Sequence, residues 1–244
     1  MSFIKSLFGI DTPQGPSSSA QQIAPPCKNE RELIELYGGI AFEKQMDINV
    51  LVANRSWHTD MSKSEISFGP TLIFPMQVLG TFSHSAQTWL WAWENIQSGF
   101  SERTIRQALL LKQYGEENEI GILTNGEFDI NPGDLHKIGL IASGMFKATG
   151  YYLADYGTGV MSVTIKNEAI DLMRKDNHHR IMTAFPQLIA QFNVNHKPAL
   201  INYLTAKGYD IADEEASLTL RATKGENHIT ATFDHQQRLA NITG

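Results

Sequence analysis

The sequence predicts an α+β protein, an antiparallel β-sheet packed by helices, with a C-terminal unit of a helix pair and a β-meander. Three observations point there. The run Thr88 to Asn95, T-W-L-W-A-W-E-N, spaces Trp89, Trp91 and Trp93 two apart, the period at which side chains share one face of a strand. Behind Asn29, whose spacing to Glu32 fits a capping box, Leu33, Leu36, Tyr37 and Ile40 keep a helical period. From Ala216 to Asp234, apolar and polar residues alternate across Lys224-Gly225-Glu226-Asn227, as in antiparallel strands with one wet face.

Taken in order, residues 1–28 are expected to be a disordered tail and linker. Met1 to Ile10 (MSFIKSLFGI) would place Phe3, Ile4, Leu7 and Phe8 on one face of a short helix. A helix of that length is marginal in water, so a loosely ordered end is expected, with docking to a membrane or a larger assembly as the alternative. It lacks the continuous apolar core and small-residue cleavage pattern of a signal peptide. Asp11 to Pro26 has linker composition. Cys27, the one cysteine, reads as an exposed, inert thiol, and a single thiol cannot close an intrachain disulfide. The main domain is expected over 29–166, and the C-terminal unit over 167–244, in the same domain or as its own.

The first helix is expected to kink or break at Gly38-Gly39. Trp57 to Phe68 reads as two strands around Ser62-Lys63, pairing Trp57 with Phe68, Thr59 with Ile66, and Asp60 awkwardly with Glu65. Leu72 to His84 and Gln87 to Asn95 form the principal hairpin, with Phe82 opposite Trp89, Gly80 opposite Trp91 and Val78 opposite Trp93. An indole would cover Gly80 across the strands. Ser101 is the expected cap of a helix over Glu102 to Tyr114 stopped by Gly115. Asn131-Pro132-Gly133-Asp134 starts a helix carrying Leu135, Ile138, Ala142 and Met145 and ending at Gly150. Tyr151 to Ile165 is strand-like around Gly157-Thr158-Gly159. Helical patches at Ile181–Phe192 and Pro198–Lys207 follow. The meander then pairs Leu218 with Phe233, Leu220 with Ala231 and Ala222 with Ile229, and Arg238 to Ile242 is its last strand.

The formal net charge of -6 and the absence of any basic run argue against a nucleic-acid surface. No apolar run approaches the ~20 residues of a membrane span. The eight histidines are scattered without ligand spacing and there is no Cys pair, so no metal or other cofactor is expected. Gly157-Thr158-Gly159 lacks the third glycine and the following helix of a phosphate cradle, and a hairpin turn explains it better.

What remains as candidate site is the Trp hairpin: Trp89, Trp91, Trp93, Glu94 and His84. The Trp stripe is either core, because each ring buries a large area, or a recognition surface. Glu94 could accept a hydrogen bond from a ligand near Gln77. His84 and Glu94 lie at opposite ends and on opposite faces of the hairpin, so they do not form an acid–base pair, and no catalytic residues are assigned.

The run L-G-T-F-S at Leu79 to Ser83, followed by T-W-L-W-A-W-E-N at Thr88 to Asn95, resembles a bacterial family of unknown function, over roughly residues 29 to 165. The resemblance implies a bacterial origin and a soluble accessory protein, with no activity, cofactor or catalytic residue to carry over. Taken together, the expectation is a cytoplasmic, non-catalytic protein that binds a protein partner, one version being an immunity-type protein that neutralises a toxin. The alternative is a small-molecule binder or enzyme with a pocket beside the Trp hairpin.

Overall fold

The computed structural model describes residues 24–174, 177–213 and 218–244. Met1 to Ile10 and most of the linker lie outside them. Helix α1 (Glu30–Val52) begins at the Asn29 cap, whose side chain accepts from the Glu32 amide, and runs without a break. The expected interruption at Gly38-Gly39 is absent because packing uses those glycines: a Cβ on Gly39 would lie 2.4 Å from Tyr203 Cβ. Cys27 is buried rather than exposed; its amide donates to the Tyr114 hydroxyl at 2.9 Å, and that hydroxyl donates to Pro25 O at 2.6 Å.

Strands β1 (Trp57–Asp60), β2 (Glu65–Phe68), β3 (Leu72–Ser83) and β4 (Thr88–Trp91) follow. β1 and β2 pair in the expected register, Asp60 with Glu65 included. Asp60 escapes its like-charged neighbour by turning into the tip, where it accepts from Ser62 Oγ at 2.6 Å and from the Ser62 and Lys63 amides. β3 and β4 place Phe82 opposite Trp89 and Gly80 opposite Trp91. The ladder stops there: Glu94 N and Asn95 N both donate to Trp91 O at 3.0 Å, which turns the chain away before Trp93 can face Val78. Gly80 is covered by an indole, but by Trp89 on the diagonal, whose Cζ2 would lie 2.5 Å from an added Cβ.

After this turn come α2 (Glu102–Glu117), α3 (Gly121–Thr124), β5 (Glu127–Asp129), α4 (Leu135–Met145), β6 (Gly150–Asp155) and β7 (Gly159–Ile165). Ser101 caps α2 as expected, but Gly115 does not stop it; the glycine lets Leu123 approach, with a Cβ contact that would measure 2.5 Å. A 3-10 turn at Pro132–Asp134 leads into α4, which ends at Met145. Gly150 therefore opens β6, where Ile48 of α1 packs so close that a Cβ would meet it at 2.8 Å. The seven-stranded antiparallel sheet runs β1-β2-β3-β4-β5, with β7 on β3 and β6 on β7.

The C-terminal stretch holds α5 (Glu168–Met173), α6 (Arg180–Gln191), α7 (His196–Ala206), β8 (Asp210–Asp213), β9 (Thr219–Lys224), β10 (Asn227–Phe233) and β11 (Leu239–Thr243). The meander register is the expected one, with Leu220 opposite Ala231 and Ala222 opposite Ile229, and β8 adds a fourth strand beside β9. Helix α1 lies against α4, α6 and α7, so it has apolar or small residues on most of its circumference. The fold is α+β, with helices packed on antiparallel sheets.

Candidate functional site

The hairpin residues do not converge on one place. Trp89 and Trp91 are both 0 % exposed, with rings edge to face and centroids 5.3 Å apart. Trp91 Nε1 donates to Ile122 O at 3.0 Å. These two rings belong to the core and have no surface left to offer. Trp93 lies past the strand end, half-buried, with Lys112 Nζ 4.2 Å from its ring centroid. Glu94 is exposed beside it and its side chain crosses Gly126, where an added Cβ would meet Glu94 Cγ at 2.8 Å. Gln77 does not face Glu94; it turns to α2, donating to Arg103 O at 2.9 Å and accepting from the Gln107 amide. His84, at the other end, has Nε2 3.4 Å from Asp155 Oδ1 on the surface. The Gly157 amide, and then His84, hold the Asp155 carboxyl below its usual range.

A more enclosed arrangement lies along α1. Two adjoining hollows, each of about 440 Å³, share Ile40 and Lys44 as a common floor. Their lining includes none of the five hairpin candidates. One hollow is mostly apolar. Leu36, Tyr37, Ile40 and Ala41 form its base, Gly144 of α4 one wall, and Thr205 and Ala206 of α7 the other. The walls stand close because small residues sit at the crossings: a Cβ on Gly144 would lie 2.5 Å from Tyr37 Cβ, as Gly39 does to Tyr203. Burial pushes the Tyr37 phenol up to about 12, so it stays neutral.

The second hollow is polar, and helical spacing on α1 builds it. Glu43 and Asp47, one turn apart, face the C-terminal helices. Glu43 accepts from the Tyr203 hydroxyl and from Lys207 Nζ at 3.0 Å. Asp47 accepts from Arg174 Nε at 3.2 Å and from Arg180. Arg174 also donates to Lys44 O at 3.1 Å and Thr149 O at 3.0 Å. Asp171 accepts from Lys166 Nζ at 2.7 Å, Thr149 Oγ1 at 2.9 Å and Arg174 Nη1 at 3.1 Å, and stands 3.6 Å from Lys44 Nζ. Burial alone would raise the Asp171 carboxyl, but the Lys166 bond and the Lys44 charge bring it below its usual value. Burial lowers Lys44, against the pull of Asp171, and the charges of Arg174 and Lys166 lower it further. Helix α5 has no fully buried side chain and only Ile170 packs partly on the core, so this polar network carries most of its attachment.

The two hollows meet at a concentration of positive charge. Lys44 Nζ donates to Ala148 O at 3.1 Å and Lys166 Nζ to Lys147 O at 2.9 Å, so both ammoniums converge on the turn just past the C-terminal end of α4, where the helix dipole favours cations. Lys147 itself is exposed at the rim of the apolar hollow, and its ammonium has no partner among the described residues. Chemically, this arrangement can shelter an apolar group and attract an anion. Among the described residues no group of three or more His, Cys, Asp or Glu is placed to hold a metal ion, and no helix is long and apolar enough to cross a membrane.

Sequence reasoning missed Lys44, Lys147, Asp171 and Arg174. Their partners lie far along the chain, and Glu43, Lys44 and Asp47 look like an ordinary solvated stretch of a mixed helix.

Residues 31–166, more than half of the chain, match the model of a family of unknown function, DUF6882, and the chain belongs to that family. The matched stretch contains the hairpin, α1 and α4, and stops just before α5. Neither the curated proteins nor the solved structures contain a significant match.

Proposed function

We propose that this member of the family is a non-catalytic binding protein whose ligand occupies the cleft along α1. The observation that carries the reading is the contrast between its two halves. The apolar hollow is open and lined mostly by aliphatic and aromatic carbon, within the size range of small-ligand sites. In the polar hollow Glu43, Asp47 and Asp171 are each held by cations. A general acid or base works best with a pKa near the operating pH, and the Asp171 carboxyl is moved the other way.

The test uses Nile red, a neutral apolar fluorophore. It should bind saturably with a blue-shifted emission. Ala206→Trp, at an exposed position on the wall, should abolish that binding without touching the core. Unsaturable binding, or binding unchanged in Ala206→Trp, rejects the cleft.

A second reading is favoured by a different observation. Ile96 is 86 % exposed next to Glu94 and Trp93, whose Nε1 is buried without a hydrogen-bond partner among the described residues. An exposed aliphatic group beside an aromatic anchor suits a protein partner, and a cytoplasmic immunity-type protein that neutralises a toxin is one form of it. Affinity capture should then yield a stoichiometric partner that Ile96→Asp and Glu94→Lys both lose. Retention by both variants rejects this surface.

A further inference from the structure

Resting on the cleft reading above, we infer that the ligand is an amphipathic anion, with an apolar acyl or aromatic body and a single carboxylate or phosphate head. The apolar hollow carries only two charged residues in its lining, Lys44 and Lys147, and both are cations. Lys44 also lines the polar hollow, with Arg174, Arg180 and Lys207, and Lys166 bonds the Lys147 carbonyl beside it. Against these six cationic side chains, Lys207 included, stand three carboxylates, Glu43, Asp47 and Asp171. The junction is therefore positive in a chain whose formal net charge is -6. An apolar body in the hollow would present its head to that excess, where low-dielectric walls strengthen the attraction.

Lys147 adds an independent observation. Its φ is +50°, in the left-handed region that suits glycine or asparagine at the end of a helix. Lysine is strained there by about 1 kcal/mol or more. Its amide closes α4 on Gly144 O at 3.1 Å, a bond that glycine would make equally well. Apart from a modest charge–dipole attraction at the helix end, what the lysine adds over glycine is an ammonium on the rim of the hollow with no partner among the described residues. The same backbone geometry makes Lys147→Gly a clean probe, since it removes the charge and relieves the strain together.

The experiment measures displacement of Nile red by decanoate, decyl phosphate, decanol and inorganic phosphate, each below its micellar range. Decanoate, decyl phosphate or both should displace the dye at least tenfold more tightly than decanol, and the stronger of the two identifies the head group. Inorganic phosphate should not displace it. Lys147→Gly should weaken the charged amphiphiles about tenfold, leave decanol unchanged, and unfold at the same or a higher temperature. Decanol equal to both anions, or anions indifferent to Lys147→Gly, overturns the charged head while the cleft reading stands. Failure of Nile red itself to bind removes the cleft, and this inference with it.

Discussion

Gln45 closes the open edge of β6 at Tyr151 as a neighbouring strand would. Its side-chain amide donates to Tyr151 O at 2.9 Å, and its side-chain carbonyl accepts from Tyr151 N at 2.9 Å. β6 pairs only with β7, so these backbone groups would otherwise be orphaned against a helix. A buried backbone group left without a partner costs about 1–3 kcal/mol. Gln45→Met, which keeps length and volume, should therefore destabilise the protein by about 3 kcal/mol in chemical denaturation. A change below about 0.5 kcal/mol, the range of an ordinary surface substitution, would mean that water replaces the amide.

Gly39→Ala sets helix propensity against packing. In an exposed helix alanine would gain about 1 kcal/mol. Here the added carbon would sit 2.4 Å from Tyr203 Cβ, on two backbones that cannot separate without disturbing α7. We expect a net loss of about 1–3 kcal/mol, measured by thermal unfolding. Gly133→Ala is the control: nothing lies within 4 Å of its Cβ position, and stability should stay within about 0.5 kcal/mol.

The tryptophans should separate by role. Trp91→Ala removes a fully buried ring together with its bond to Ile122 O and should cost about 3–5 kcal/mol. Trp93→Ala removes a half-buried ring whose cation contact with Lys112 is worth about 0.5–1 kcal/mol at an exposed site, and should cost much less. Equal losses in denaturant titrations would show that the end of the hairpin is as integral to the core as its middle.

Asp171 predicts an acid limb of instability. Its folded carboxyl lies below the ordinary value of 3.8, so the unfolded chain takes up the proton first as pH falls. The stabilisation is complete above that value and is lost as pH drops through the lower folded one. Asp171→Asn should unfold with a shallower acid dependence in this window. Arg174→Ala should release α5 without unfolding the sheets, seen as faster amide exchange over 168–173 with β3 and β7 unchanged.

The hairpins were legible because turn and alternation fix register within a few residues of chain, as Trp57–Phe68, Phe82–Trp89 and Leu220–Ala231 show. What overrode local reading was tertiary packing. Gly38-Gly39 and Gly115 read as breaks when they are close approaches, and the Trp period continued past Trp91 although the backbone did not. Helix α5 left little hydrophobic face to detect: Ile170 packs only partly on the core, and Leu172 and Met173 are 86 % and 73 % exposed. The buried rings of the hairpin stood out in the sequence by their residue type. The cleft did not, because each of its walls is an ordinary helix and only folding brings Lys44 to Asp171.

Helix α1 serves two clients. Its sequence falls within the family stretch, yet Gly38 approaches Leu188, Phe42 packs edge to face on Phe192, and Glu35 accepts from the Asn195 amide at 2.7 Å, all beyond residue 166. A chain cut after residue 166 would leave that flank of the helix wet, with a bare glycine pair and with Glu35 deprived of the Asn195 amide. Such a fragment should self-associate or aggregate during purification. Any relative that ends there must bring its own cover, so the segment after 166 is a natural place for members of the family to differ from one another.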